Sequence, residues 1–325
     1  MGDSPVNEAT NVSPIRNESE FDVRAELLAV LTSDRSLVQA QIAREIGVGQ
    51  SAFSQWKGGT YGGDNDDIER RVRTWLDTRK AKASAGDRMP RAPEFEATPT
   101  SQRIISALGY AQVAGDIALI YGGAGLGKTT AIKQYKATGL NVWHATMTPA
   151  SASVVTALEV ICDALGINEQ GGAARLFKAI VRRVRNTGGL LVVDEAQHLS
   201  VAALDQIRSI HDETDIGIAL VGNESVYARM TGGNRAAFLD RLYSRVGKRL
   251  ALKQSTDADI DALIAAWGIS DKACRRTLVE IARKPGALRT LTKVLRLASM
   301  HALAAKEAVC CTHVATAWRE LGGME

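Results

Sequence analysis

One glycine-rich loop constrains this chain more than any other feature of its 325 residues. In "DIALIYGGAGLGKTTAIKQY" a short apolar run leads through glycines into a helical pattern, which is how a buried strand feeds a helix in a parallel sheet. Gly122, Gly127, Lys128 and Thr129 fit the spacing G-x-x-x-x-G-K-[ST]. Such a loop needs glycine so that backbone N–H groups can close around phosphate oxygens at a helix N-terminus. The residues Gly122, Gly123, Ala124, Gly125, Leu126, Gly127, Lys128, Thr129 and Thr130 are therefore the expected nucleotide cradle. Lys128 is expected to reach the β- and γ-phosphates, and the Thr129 hydroxyl to hold Mg²⁺.

Two further apolar runs repeat the strand signal. "LLVVDEAQHL" ends in Asp194, the expected second metal ligand, and Glu195 follows as the group that orients or activates an attacking water. "IGIALVGNESV" ends beside Asn223. Helical stretches lie between these runs, so residues 101–252 read as an α/β core with a parallel sheet and flanking helices. From about residue 253 to 325 the pattern is helical and predicts a smaller all-α unit.

With these motifs in place, the region from Ser101 onward resembles the AAA+ family of ATPases. The resemblance implies ATP and Mg²⁺ as cofactors and a polar sensor of the γ-phosphate, which Asn223 matches. It also implies an arginine supplied by a neighbouring subunit. "FLDRLYSRVGKRL" offers Arg245 as first choice and Arg241 beside it, and "PGALRTL" places Arg289 where the family carries a lid arginine.

Residues 21–78 are different in kind. Apolar residues recur at helical spacing in short segments broken by glycine, and "IAREIGVGQSAFSQWKGG" resembles a helix-turn-helix of the phage-repressor type. Ile42, Ala43, Ile46, Val48 and Phe53 are expected to hold the two helices together, with Gly47 at the turn. Gln50, Ser51 and Gln55 would face the major groove, and Lys57 a phosphate. The expected recognition helix has no Arg or Asn, the side chains that make the strongest bidentate base contacts, so largely sequence-independent binding of double-stranded DNA is expected.

The net charge of +4 is too small to establish a polyanionic partner, so clustering has to carry that argument. A basic run extends from Arg70 to Arg91, through Arg73, Arg79, Lys80 and Lys82. In "ARLFKAIVRRVRN" the cations Arg175, Lys178, Arg182 and Arg185 share one helical face with no carboxylate between them, while Leu176, Phe177, Ile180, Val181 and Val184 take the other. That face is a second candidate for phosphate contact. Residues 1–20 read as a polar tail and 79–100 as a linker rich in Ala, Pro and basic residues. Cys162, Cys274, Cys310 and Cys311 show no C-x-x-C or zinc spacing and read as free thiols in a reducing cytosol. No apolar stretch of about 18 residues predicts a membrane span, so the bacterial cytoplasm is the expected location.

A repressor-type head, a tether and an ATPase core in this order resemble the B proteins of phage Mu-type transposons. Membership would imply ATP-dependent assembly as helical filaments on target DNA, delivery of that DNA to a transposase, and release on hydrolysis. A helicase loader or an ATP-dependent, sequence-specific regulator remain the alternatives. The sequence leaves open whether the head or the core grips DNA more tightly.

Overall fold

The computed structural model describes residues 23–34, 37–88, 90, 95–231 and 242–322. The tail at 1–20, Arg91 and Arg241 lie outside the described residues. The chain divides into two compact units, residues 1–89 and 90–325.

The first unit is helical: α1 (Val23–Ser33), α2 (Gln39–Glu45), α3 (Gln50–Lys57) and α4 (Asn65–Arg88). Leu27, Ile42, Ala43, Phe53, Trp56, Val72 and Leu76 form its core. Between α2 and α3 Gly47 takes a left-handed φ of 69°, and the Val48 N–H reaches back to the Ala43 carbonyl at 2.9 Å. The segment expected to be a linker from residue 79 continues instead as the last turns of α4. Ala, Lys and Arg propagate a helix well. In addition, Arg79 pairs with Asp34 at 2.6 Å and Lys80 with Glu26 at 2.8 Å, which ties those turns to α1 and the loop behind it.

The second unit is built on five parallel strands: β1 (Ile117–Gly122), β2 (Val142–Thr146), β3 (Leu190–Asp194), β4 (Gly217–Gly222) and β5 (Val246–Leu252), in the order β2-β3-β4-β1-β5. β3 and β4 are buried along their whole length, which accounts for their unbroken apolar sequence. Alternate residues feed separate cores. Leu119, Leu191, Val193 and Leu220 face one, and Ile120, Leu190, Val192 and Val221 the other. The helices covering the two faces include α5 (Pro99–Ala114), α6 (Lys128–Thr138), α7 (Val154–Leu165), α8 (Ala173–Val184), α9 (Val201–Thr214) and α10 (Glu224–Thr231).

Four helices follow: α11 (Asp257–Ala266), α12 (Lys272–Ala282), α13 (Ala287–Ala305) and α14 (Cys311–Glu320). They enclose a core of Ile260, Ile264, Leu278, Leu291, Leu295 and Val314. Asp259 joins these helices to α5. Its side chain is fully buried and accepts hydrogen bonds from the Thr100 N–H at 2.8 Å and hydroxyl at 2.7 Å, and from the Thr256 N–H and hydroxyl, both at 2.8 Å. Burial pushes the Asp259 carboxyl up, and these bonds from Thr100 and Thr256 more than reverse it, leaving it below its ordinary value. A second contact is steric: a Cβ on Gly125, whose φ is 82°, would lie 1.9 Å from the Gly286 carbonyl oxygen just before α13.

Candidate functional site

Because every strand is parallel, the ends of β1, β3 and β4 open on one edge of the sheet, where ligands of such folds sit. The loop after β1 runs into α6, which starts at Lys128. Lys128 folds back across the loop, its Nζ donating to the carbonyls of Gly122 at 2.8 Å and Gly123 at 2.7 Å. Burial lowers its affinity for a proton, Asp194 and Glu195 oppose that, and Arg289 adds to it. A cation held this way is pre-positioned and only partly neutralised, ready for an anion.

The Thr129 hydroxyl donates to Asp194 Oδ2 at 2.9 Å, and the Glu195 N–H donates to Asp194 Oδ1 at 2.9 Å. His144 on β2 approaches the same carboxylate at 3.5 Å. Burial alone pushes Asp194 up, while hydrogen bonds from His144, Thr129 and the Glu195 backbone bring it below its ordinary value. The carboxylate is thus kept ionised although only 1 % of the residue is exposed. Thr129 and Asp194 together form a hard-oxygen pair, the donor type that suits Mg²⁺.

Glu195 occupies the left-handed region with a φ of 56°, an uncommon position for a side chain of its size. Its carboxylate accepts from Gln197 Nε2, and Gln197 Oε1 accepts the Asn223 N–H at 3.2 Å. One carboxamide therefore ties the end of β3 to the end of β4. Neither His144 nor Gln197 was expected as a site residue; only the nearness of Gln197 to Glu195 in "DEAQH" hinted at the second.

A cavity of about 500 Å³ opens beside this edge. Loop residues Ala124 to Thr130 and Glu195 line one part, and Arg289, Lys293 and Arg296 of α13 add positive charge. Phe95, Leu263 and Leu288 supply an apolar part. The volume falls in the usual range for small-molecule sites. Gly122 and Gly123 contribute the carbonyls that hold Lys128 rather than wall. Asn223 stands at the end of β4 outside the cavity lining, and its Oδ1 accepts from the Ser225 N–H at 2.9 Å and hydroxyl at 2.6 Å, capping α10.

Arg245 precedes β5, whose first residue pairs with the first of β1, so it lies at the opposite, amino edge of the sheet. There its Nε meets Asp212 at 3.0 Å.

The expected basic surfaces prove less free than the sequence suggests. On α8, Arg175 pairs with Glu169 and Arg182 reaches the same carboxylate at 4.0 Å, and Arg185, just past the helix, pairs with Glu213 at 3.4 Å. Lys178 is exposed on the same face. The carboxylates come from outside the α8 segment, so a face read as uniformly positive is largely charge-matched. On α4, Arg70 and Arg71 pair with Asp67, and Arg73 with Glu69. On α3, Gln50, Ser51 and Gln55 are exposed and Lys57 is half-buried beside Gly58.

The parallel sheet, the loop at its carboxyl edge and the helical C-terminal region define an AAA-type nucleotide-binding protein. The AAA domain family matches residues 113–230, and the family described as Mu B transposition protein, C terminal, matches residues 244–321. The chain is 37% identical over 301 residues to the ATP-dependent target DNA activator B of Escherichia phage Mu, covering 92% of this chain and 95% of that one. It is also 37% identical to the Mu-like prophage FluMu DNA transposition protein B of Haemophilus influenzae, over 80% of this chain and 91% of that one. The chain belongs to the Mu B transposition protein family. Among solved structures, Cdc6p from Pyrobaculum aerophilum shares the fold at 14% identity, with a TM-score of 0.53 over 71% of this chain and 69% of that one. Drosophila ORC bound to DNA gives a TM-score of 0.50 at 13% identity, over 72% and 63%. No helix among the described residues is long and apolar enough to cross a membrane.

Proposed function

We propose that this chain is an ATP-dependent target-DNA activator for transposition. In this reading it assembles with copies of itself on double-stranded DNA, presents that DNA to a transposase, and releases it when ATP is hydrolysed. One observation carries the reading: a chain aligned over nearly its full length with target DNA activators gathers Lys128, Thr129, Asp194 and Glu195 at one sheet edge.

Thr129 and Asp194 are the residues to hold Mg²⁺, which when bound neutralises phosphate charge. Lys128 exchanges two loop carbonyls for phosphate oxygens. Glu195 takes a proton from the attacking water, and Gln197 fixes the direction of its carboxylate. Arg245, at the far edge from its own cavity, fits a role on a neighbour's nucleotide, which would make ATP binding and subunit contact reinforce each other.

For DNA, the exposed α3 residues Gln50, Ser51 and Gln55, with Lys57, are the proposed base-facing set of a helix-turn-helix. The α8 cations serve as phosphate contacts only by exchanging Glu169 and Glu213 for DNA. Pairs whose arginines are this exposed are worth little, so that exchange is cheap. The test is electron microscopy with DNA and ATP, then ADP, together with a binding titration in each state. Ordered assemblies with ATP that disperse in ADP are expected, and equal DNA occupancy in ATP, in ADP and without nucleotide would sink the proposal.

A further inference from the structure

The C-terminal helices bring together a set of sulfur and oxygen atoms that no part of the ATP site uses. Asp271 caps α12, its carboxylate accepting from the Ala273 N–H at 3.1 Å and the Cys274 N–H at 3.3 Å. One turn into that helix Cys274 points inward and is fully buried. Cys311, forty residues after Asp271, opens α14, and its Sγ donates to Asp271 Oδ2 at 3.2 Å. The ligand atoms of Asp271, Cys274 and Cys311 all lie within 4.8 Å of one another.

We infer that Asp271, Cys274 and Cys311 form a binding site for a thiophilic divalent cation of the zinc class, joining the starts of α12 and α14. Two sulfurs and one carboxylate oxygen are a ligand set that zinc accepts, with water completing a tetrahedron. Bonds of about 2.0–2.3 Å to one ion put tetrahedral ligands roughly 3.5 Å apart, so atoms already within 4.8 Å of one another need only a small contraction to seat it. On binding a divalent ion the two thiols release two protons to solvent, and the ion bonds both thiolates and the existing carboxylate. Cys310 is not part of the set. Its Sγ lies against the Thr312 hydroxyl at 2.9 Å and His313 Nδ1 at 3.2 Å.

Cobalt(II) tests this on the full-length protein, stripped of metal and kept reduced by a non-chelating phosphine. A thiolate-to-cobalt charge-transfer band should grow to saturation at one equivalent and be bleached by one equivalent of zinc. The band reports sulfur ligation alone, so divalent ions at the nucleotide site do not contribute. Cys311→Ser should halve its intensity or abolish it and weaken binding at least tenfold. Asp271→Asn should weaken binding with the band retained, and Cys310→Ser should change neither. Absence of a band in the reduced wild type overturns the proposal. So does an undiminished band in Cys311→Ser that retains wild-type circular dichroism, or a band lost in Cys310→Ser alone.

Discussion

Lys128 and Arg182 carry the same charge on opposite faces of one sheet, and they live in opposite physical conditions. Lys128 is partly buried, bound by two backbone carbonyls, and faced by the Asp194 and Glu195 carboxylates that favour its charge. The Arg182 side chain is 74% exposed and reaches Glu169 only at 4.0 Å. A desolvated charge has few alternatives and its position is set by the fold, whereas a solvated one trades partners at almost no cost. The comparison predicts that damage at the sheet edge is severe and specific, and that damage on the α8 face is mild and dependent on salt.

The largest effects are expected from Lys128→Ala and Arg245→Ala, each reducing ATP turnover roughly 1,000-fold. They should separate in binding: the lysine variant loses ATP affinity, and the arginine variant keeps it, with thermal stability within about 1 kcal/mol of wild type because the lost pair with Asp212 is exposed. Mixing the two should restore some turnover, since a mixed assembly contains intact interfaces. No recovery at any ratio, despite co-assembly, would move the role from Arg245 to Arg241.

Next in size is Glu195→Gln, which should cut turnover roughly 100-fold and leave ATP binding unchanged. Assemblies on DNA should then outlive those of the wild type, as a dissociation time course would reveal. Wild-type turnover in this variant would remove Glu195 from the chemistry.

Asp259→Asn probes burial without catalysis and should cost about 2 kcal/mol in denaturant unfolding, because charge-assisted hydrogen bonds from Thr100 and Thr256 are weakened. Its pH dependence has a fixed sign. The carboxyl lies below its ordinary value in the folded chain, so its stabilisation is complete above the unfolded value of about 3.9 and is lost as pH falls through the lower folded value. The gap between wild type and variant should therefore close in acid; a gap independent of pH would show that packing, not charge, is what the substitution removes.

The smallest effect belongs to α8. Reversing Arg182 and Arg185 to Glu should leave folding and ATP binding intact and, if both touch phosphate, reduce the salt slope of DNA binding by about 1.8 in total, at about 0.9 per contact. An unchanged slope would assign DNA to the head, where Gln50→Ala with Gln55→Ala is the matching test.

What could be read from the sequence follows the same division. The loop from Gly122 to Thr130, and Asp194 with Glu195, were legible because each sits where an apolar strand ends, and such strands announce themselves locally. Gln197, His144 and Asp259 were not, because their roles depend on partners brought close only by strand order or by the docking of α11 on α5. The charge on α8 was misread for a related reason. A helical projection counts only residues on its own helix, and Glu169 and Glu213 arrive from the preceding loop and from α9. The turns after residue 79 read as a tether because their composition is mixed, while the ion pairs to Asp34 and Glu26 that favour helix there depend on residues distant in sequence.

The contact between Gly125 and Gly286 sets a mechanical limit on the cavity. With no room for even one methyl group between the loop and the turn that starts α13, the C-terminal helices already rest against a stop. A closer approach at this point would drive the loop backbone into the Gly286 carbonyl. Any side chain at position 125 acts as a wedge that holds Arg289 away from the loop, propping the site ajar whatever nucleotide is supplied.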